Sequence, residues 1–598
     1  MPRRILFMKR SPAWSNLIRI RGKSFRGSLR RKYQCVIEIC NFTSIALDMY
    51  DMKEVYDVVV IGSGFGGAIN ACRLAQAGRS VCILERGKRW GKKDFPRTTG
   101  QVARSFWNYK DLGLLDYRAF ENIDIIQASG VGGGSLVYFN VHIRTPKEIF
   151  ENPRWPKGVK RDILDPFYDQ ARDVLEARPL TPPADYVMPS RTAAFIAAAE
   201  KAGHKSELME ICVYTGPEKV NRQGIVQEGC VYCGNCMLGC HVHAKNTLDL
   251  NYIPLAEQNG AEVYPLHQVE KIEAIDPVET NGYRVHFLQF DLEAADSQPL
   301  TFNGDRFDQR SAKPEPLSRP GSVIGRKVII SAGALGSTEI LLRCRDLHKT
   351  LPNLSPALGT KFSGNGDFLL AGTLESNREV DPGAGPSITA AIDASTANNR
   401  IMIQDLGFPD PFLWYLESAL PVPRRLKNLS LFFKKYLMRT LGLDHGSAFT
   451  DGADKLFKGG VTTKFLPYLG MGTDAADGRM KLSKGNLEID WNSRRSRAMF
   501  SEMEKTLKEL SRAIGGDYMP SVLWGWPWRK LLTAHPLGGC VMSDDQSDGV
   551  VNEFGEVWNY PNLYVSDGSI IPTALSVNPS ATISALSERV ADHILSSQ

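Results

Sequence analysis

The chain lacks any run of 18 or more apolar residues, so no segment reads as a membrane-spanning helix. It lacks a clean apolar signal-peptide core, which argues against ordinary secretion. It has no tandem repeat and no Pro/Gly-rich linker, which excludes a solenoid and a string of separate beads. It also lacks a charge excess in its body. The net charge of +6 over 598 residues arises in residues 1–50, where 11 Lys/Arg face only Glu38 and Asp48. Beyond position 50, 61 basic residues meet 64 acidic ones, so the global charge gives no support for nucleic-acid binding. Residues 1–52 form a basic leader that reads in three ways: a mis-assigned upstream start before Met49 or Met52, a targeting segment, or a basic arm. With 43% hydrophobic residues the chain can bury a large core, and global disorder is excluded.

Disulfide-type cysteine usage is absent too. The eleven cysteines are an odd number and mostly scattered, as in a protein of reducing compartments. The expected setting is the cytoplasm or the membrane periphery.

What is present begins at residue 56. Tyr56–Ile61 reads as a short buried strand, followed by Gly62-Ser63-Gly64-Phe65-Gly66-Gly67 and a helical run to Ala75. Gly62, Gly64 and Gly67 satisfy G-x-G-x-x-G. The first permits the tight turn, the second lets a pyrophosphate approach backbone, and the third lets helix pack on strand. Phosphates would sit at the helix N-terminus, where unpaired N–H groups and the helix dipole favour anions. A second strand, 80–84, ends in Glu85, placed to accept hydrogen bonds from a ribose. The order strand–glycines–helix–strand–acid indicates a dinucleotide fold, and leaves FAD or NAD open.

Further segments carry a family resemblance: Gly130-Val-Gly-Gly-Gly134-Ser135-Leu-Val, Ser331-Ala-Gly-Ala-Leu-Gly-Ser-Thr-Glu339, His535-Pro-Leu-Gly-Gly-Cys540, Asn562-Leu-Tyr-Val-Ser-Asp567-Gly-Ser and Val577-Asn578-Pro579. Across about 53–598 the chain resembles the glucose–methanol–choline (GMC) family of FAD oxidoreductases. Leu266-His-Gln-Val269, Leu351-Pro-Asn-Leu354 and Gly364-Asn-Gly366 are similar to its cholesterol-oxidase branch. The resemblance implies an α/β fold: a Rossmann-type FAD-binding lobe, discontinuous over 53–150, 225–350 and 530–598, and an α+β substrate lobe from 151–224 and 351–529. It implies that Gly62, Gly64 and Gly67 hold the pyrophosphate and Glu85 the ribose. Gly130, Gly134 and Ser135 resemble the loop beside the flavin, and Val269 the position whose backbone meets adenine. Asp567 resembles the acid near the ribityl chain, with Asn578 and Pro579 near the isoalloxazine. Related oxidases carry Asn soon after the glycine-rich loop; here Tyr138-Phe139 intervene, and Asn140 is expected to take that role.

His535 and Asn578 are the expected catalytic pair. Alcohol oxidation needs a group to accept or orient the hydroxyl proton, and imidazole suits this. An amide beside it can fix the hydroxyl. Members of the sterol branch that also isomerise the double bond use a carboxylate to shuttle the proton. The resemblance places Gln404 there, and an amide cannot do this. Asp405 is the adjacent acid, but neighbours on a strand face opposite ways. Weak or absent isomerisation is therefore expected.

Cys230-x2-Cys233-x2-Cys236-x3-Cys240 matches the spacing of a bacterial-type iron–sulfur run, although His241 follows it instead of Pro and no second run exists. Iron–sulfur, zinc and a metal-free cysteine-rich turn are the three readings. Cys540 reads as a packing thiol. Asp474 and Asp477 read as a polar turn before a cation site. In 407–443, Leu426, Leu429, Phe433 and Leu437 recur at helical spacing among Arg424, Arg425, Lys427, Lys434, Lys435 and Arg439. The segment reads as a lid or packing helix, or as a membrane-surface helix that contacts a lipid substrate's source.

Together these features imply FAD-dependent oxidation of a secondary hydroxyl on a sterol or similar bulky, lipid-like alcohol. The electrons would pass to oxygen, a quinone or a protein carrier. The alternatives are an acceptor-linked alcohol dehydrogenase with an iron–sulfur cluster, a lyase with structural flavin, and a flavin-binding protein without turnover.

Overall fold

In a computed structural model the described residues are 52–108, 112–181, 188–291, 318–374, 380–412, 465–521, 524 and 530–597. The leader up to residue 51 and the basic segment at 424–439 lie outside them. Among the described residues no helix is long and apolar enough to cross a membrane.

The strand expected after residue 55 is β1, Val55–Ile61. Its last four residues are buried, as required of a central parallel strand covered on both faces. Helix α1, Phe65–Gln76, follows, then β2, Val81–Leu84. Strands β3 (Glu262–Tyr264), β4 (His267–Ala274), β5 (Tyr283–Phe290), β6 (Ser318–Ile330) and β7 (Leu563–Val565) complete a seven-stranded sheet. Its order is β3-β2-β1-β6-β5-β4, with β7 also beside β6. The pairs around β1 and β7 are parallel and those with β5 antiparallel. The long β6 makes this mixture. Its first half pairs with β5, and its second half with β1 and β7.

A six-stranded antiparallel sheet is built from Ser206–Leu208, Phe368–Leu374, Ala390–Asp393, Ile401–Asp405, Leu466–Gly472 and Asp517–Met519. The fold is thus α/β, as the motifs indicate, with chain segments far apart in sequence meeting in each sheet.

Helix α2, Gly333–Leu342, follows β6, and α3, Ser580–Ser596, ends the described chain. The small face of α1 allows close packing. Ala68, Ala71, Ala75, Val590 and Ile594 share one apolar core with β1 and β2. Arg73 of α1 grips Glu588 of α3 with two hydrogen bonds of 2.7 and 2.8 Å, and Tyr252 donates to the same carboxylate at 2.7 Å. This two-pronged geometry offsets the cost of burying the carboxylate.

Gly66, outside the G-x-G-x-x-G positions, has the tightest surroundings of the turn. A Cβ there would lie 1.5 Å from the Ser566 carbonyl oxygen, at the end of β7. Backbone cannot yield as a side chain can. Gly66→Ala is expected to lower stability by more than about 2 kcal/mol, read from the urea midpoint at unchanged slope.

His142 is buried, and burial pushes its pKa down from 6.5 to about 4. The folded state keeps the ring neutral where the unfolded chain already binds a proton, so its contribution to stability falls as pH drops from 6.5 to 4. Relative to His142→Gln, the wild type should lose up to about 3 kcal/mol across that window, measured by urea unfolding at each pH.

Candidate active site

A cavity of about 690 Å³ opens where the turn after β1, the loop 130–137, β4, the turn before α2 and the segments 534–536 and 567–583 converge. That volume suits a cofactor-sized ligand. Of the residues singled out in the sequence, Gly62, Gly64, Glu85, Gly134, Val269, His535, Asp567, Asn578 and Pro579 line it.

Backbone geometry explains the glycines. Gly62 sits at φ +93°, donates to the Leu84 carbonyl at 2.8 Å, and leaves no room for a Cβ beside the Ser331 carbonyl oxygen. A Cβ on Gly67 would collide with the Gly62 carbonyl oxygen, so this glycine sets helix-to-turn packing and does not line the cavity. Gly133 presses on Gly64, where a Cβ would come within 2.5 Å of the Gly64 Cα. A Cβ on Gly134 meets no atom within 4 Å. Gly64 caps α1 without a side-chain hydrogen bond, so the first turn presents bare N–H groups beside the cavity.

The acids are held by backbone and hydroxyl donors. Glu85 accepts from the Ser63 N–H (3.0 Å), the Ser63 hydroxyl (2.7 Å) and the Gly87 N–H (2.8 Å). Asp567 accepts from the N–H groups of Gly333 (2.9 Å) and Ser569 (2.8 Å) and from the hydroxyls of Ser337 and Ser569. Burial raises its pKa despite these donors.

His535 follows the short strand Leu531–Thr533. Its Nδ1 lies 2.8 Å from Asp367 Oδ1. Asp367 Oδ2 accepts from the Ala534 N–H (3.0 Å) and the Thr533 hydroxyl (2.8 Å). Asn578 accepts at Oδ1 from Gln404 Nε2 at 2.7 Å. Asp405 faces the other way. It is fully buried, pairs with Arg191, and accepts from the N–H groups of Thr389 and Ala390.

Several expected residues lie off the cavity. Gly130 packs under Trp90, and Ser135 bonds to the Gly132 carbonyl (2.7 Å) and the Leu248 N–H (3.0 Å). Asn140 is buried with its amide 3.5 Å from Cys236 Sγ. Asp474 clamps the turn 363–366 through the Ser363 hydroxyl and the Gly366 N–H, and Asp477 pairs with Arg495, so both serve a polar turn. Burial pushes the Cys540 thiol up to about 12, consistent with a packing role.

Nothing in the geometry supports the metal-centre reading of Cys230, Cys233, Cys236 and Cys240. Among the described residues no group of three or more His, Cys, Asp or Glu side chains is placed to hold a metal ion. All four are free cysteines, and in the metal-free chain burial raises the pKa of Cys230, Cys233 and Cys240. The segment braces the cavity loop. Lys245 Nζ donates to the carbonyls of Leu136 (2.8 Å), Tyr138 (3.3 Å) and Cys236 (2.7 Å). Burial lowers its pKa to about 8.

Sequence reasoning missed Asp367, Lys245 and Gly66. Asp367 directly follows Gly364-Asn365-Gly366, so the motif was seen one residue short.

The bare helix N-terminus, the open space at Gly134 and the acceptor at Glu85 fit a dinucleotide. Gly134→Val is expected to weaken FAD binding at least about tenfold, roughly 1.4 kcal/mol, with unfolding still cooperative. The ratio of flavin to protein absorbance after dialysis checks it.

Comparison with known proteins agrees with this geometry. The N-terminal GMC oxidoreductase family model matches residues 56–285, and the C-terminal one matches 474–587. A cholesterol oxidase of Acinetobacter baumannii is 29% identical over 90% of this chain and 94% of its own. A long-chain-alcohol oxidase of Arabidopsis thaliana is 24% identical over 90% of this chain and 67% of its own. In fold, an FAD-dependent oxidoreductase from Chaetomium thermophilum matches with a TM-score of 0.58 at 16% identity, over 91% of this chain and 99% of the other. The chain belongs to the GMC oxidoreductase family and is an FAD-dependent alcohol oxidoreductase.

Proposed function

We infer that the protein oxidises the secondary hydroxyl of a sterol or a similarly bulky, lipid-like alcohol and passes the electrons to oxygen. The observation that carries this reading is the pair His535 and Asn578 on one cavity with the glycine-rich turn. Gly62, Gly64 and the α1 N-terminus would hold the FAD pyrophosphate, Glu85 its ribose, and Val269 its adenine. FAD, when bound, supplies the two-electron acceptor for the hydride of the alcohol carbon.

The side chains divide the remaining work. A hydroxyl about to lose its proton needs an acceptor for that proton and a donor to its oxygen. Asn578 spends its Oδ1 on Gln404, which leaves its amide N–H groups to donate to the substrate oxygen. His535 takes the hydroxyl proton. Fixing the hydroxyl between them also orients its carbon. The apolar residues Val137, Phe139, Val141 and Ile583 line the same cavity and suit a hydrocarbon skeleton. The curated relatives named as cholesterol and long-chain-alcohol oxidases support that substrate class.

Gln404 also limits the reaction. Its amide stands beside Asn578 and carries no removable proton at neutral pH, while Asp405 is committed to Arg191. With cholesterol, product analysis should show the unconjugated 5-en-3-one as the main early product, and abundant conjugated 4-en-3-one would contradict the reading. His535→Ala, with FAD retained, should reduce its flavin with cholesterol at least about 10²-fold more slowly than wild type under anaerobic stopped-flow mixing.

A further inference from the structure

We propose that Asp367 is the positioning residue of this site: its carboxylate holds His535 in the Nδ1–H tautomer, so that Nε2 is the atom that receives the substrate's proton. The proposal rests on the reading of His535 as proton acceptor and adds the device that prepares it.

The geometry is constrained at both ends of Asp367. Oδ1 lies 2.8 Å from His535 Nδ1. An ionised carboxylate only accepts, so the hydrogen in this contact belongs to the ring. A neutral imidazole carries one N–H, and placing it on Nδ1 leaves a lone pair on Nε2. Among the described residues nothing bonds to Nε2, and the ring lines the cavity. When the ring gains a second proton, the adjacent carboxylate offsets the new positive charge.

At the other end, Oδ2 faces the Ala534 N–H at 3.0 Å. A backbone N–H can only donate, so the atom opposite it must accept. The side chain of Asp367 is 1% exposed. Its backbone is fixed as well. The Asp367 N–H closes the turn on the Gly364 carbonyl at 3.1 Å, and Asp474 holds the Gly366 N–H at 3.0 Å. Rotating the carboxylate away would strand the Ala534 donor without a partner.

These constraints make the isosteric amide the informative change. In Asp367→Asn the amide oxygen must face the Ala534 N–H, which turns the NH2 group toward Nδ1. The ring then accepts at Nδ1 and carries its hydrogen on Nε2, where it can no longer take the substrate's proton. The change preserves shape and inverts the tautomer. In serine-protease triads the same exchange costs about 10⁴-fold in turnover.

The test uses the full-length holoprotein labelled with ¹⁵N-histidine, with the His535 ring signals assigned by their loss in His535→Ala. The wild type should show protonated Nδ1 and unprotonated Nε2. Asp367→Asn should show the reverse, retain FAD, and slow anaerobic flavin reduction by cholesterol by about 10²-fold or more. A wild-type ring protonated at Nε2 overturns the proposal, whether or not the variant folds. So does an Asp367→Asn protein with unchanged tautomer or unchanged rate. If His535→Ala reduces its flavin at the wild-type rate, the functional reading of His535 fails, and the tautomer measurement still decides the role of Asp367.

Discussion

One four-residue turn, Gly364–Asp367, ties together His535 and Asn578, the two side chains proposed to hold the substrate hydroxyl. Asp367 meets the His535 ring, and Asn365 reaches the opposite way. The Asn365 side chain accepts from the N–H groups of Leu575 and Ser576 and donates to the Val577 carbonyl, at 2.8–3.1 Å, immediately before Asn578. Residues about 40 positions apart in sequence are thereby referenced to the same few backbone atoms. Bonds this short, fully buried, leave little freedom for relative motion of ring and amide. The turn in turn depends on Asp474, whose carboxylate occupies the inside of the bend.

A second constraint is close backbone approach. Gly62, Gly66, Gly67 and Gly133 lie where one chain segment presses on another, and side chains there would force the segments apart. Gly64 and Gly134 differ: beside the cavity, a Cβ on Gly134 meets no atom within 4 Å and one on Gly64 makes only an ordinary 4.0 Å contact with the Gly133 Cα. Glycine therefore does two jobs in one stretch of sequence, packing at some positions and leaving room for a ligand at others.

That distinction marks what could be read without coordinates. The β1–α1–β2 unit, the α1 N-terminus and Glu85 were legible because each rests on a local pattern with a physical meaning, whereas His535 and Asn578 entered through the family resemblance. Gly66 and Lys245 were not, because their partners, Ser566 and the Leu136–Tyr138 loop, lie far along the chain. Asp367 was hidden for the same reason, its partner being 168 residues away. The cysteine run has a contact role that its spacing does not give. Its spacing is that of a metal site, yet spacing says nothing of burial. Here a buried lysine ties the segment to the cavity loop. Ser135, within the loop, bonds to the Gly132 carbonyl, and Asn140, beyond it, turns its amide toward Cys236 Sγ.

The central claim is that this cavity removes two electrons from a bulky alcohol with His535 and Asn578 holding the hydroxyl. It is tested most directly by anaerobic titration of the purified holoprotein with cholesterol, following the flavin spectrum and the ketone formed. The account predicts that the oxidised flavin bands bleach in proportion to the alcohol added, with one ketone per flavin reduced. Oxidised flavin that persists in excess cholesterol, with no ketone detected, would contradict it.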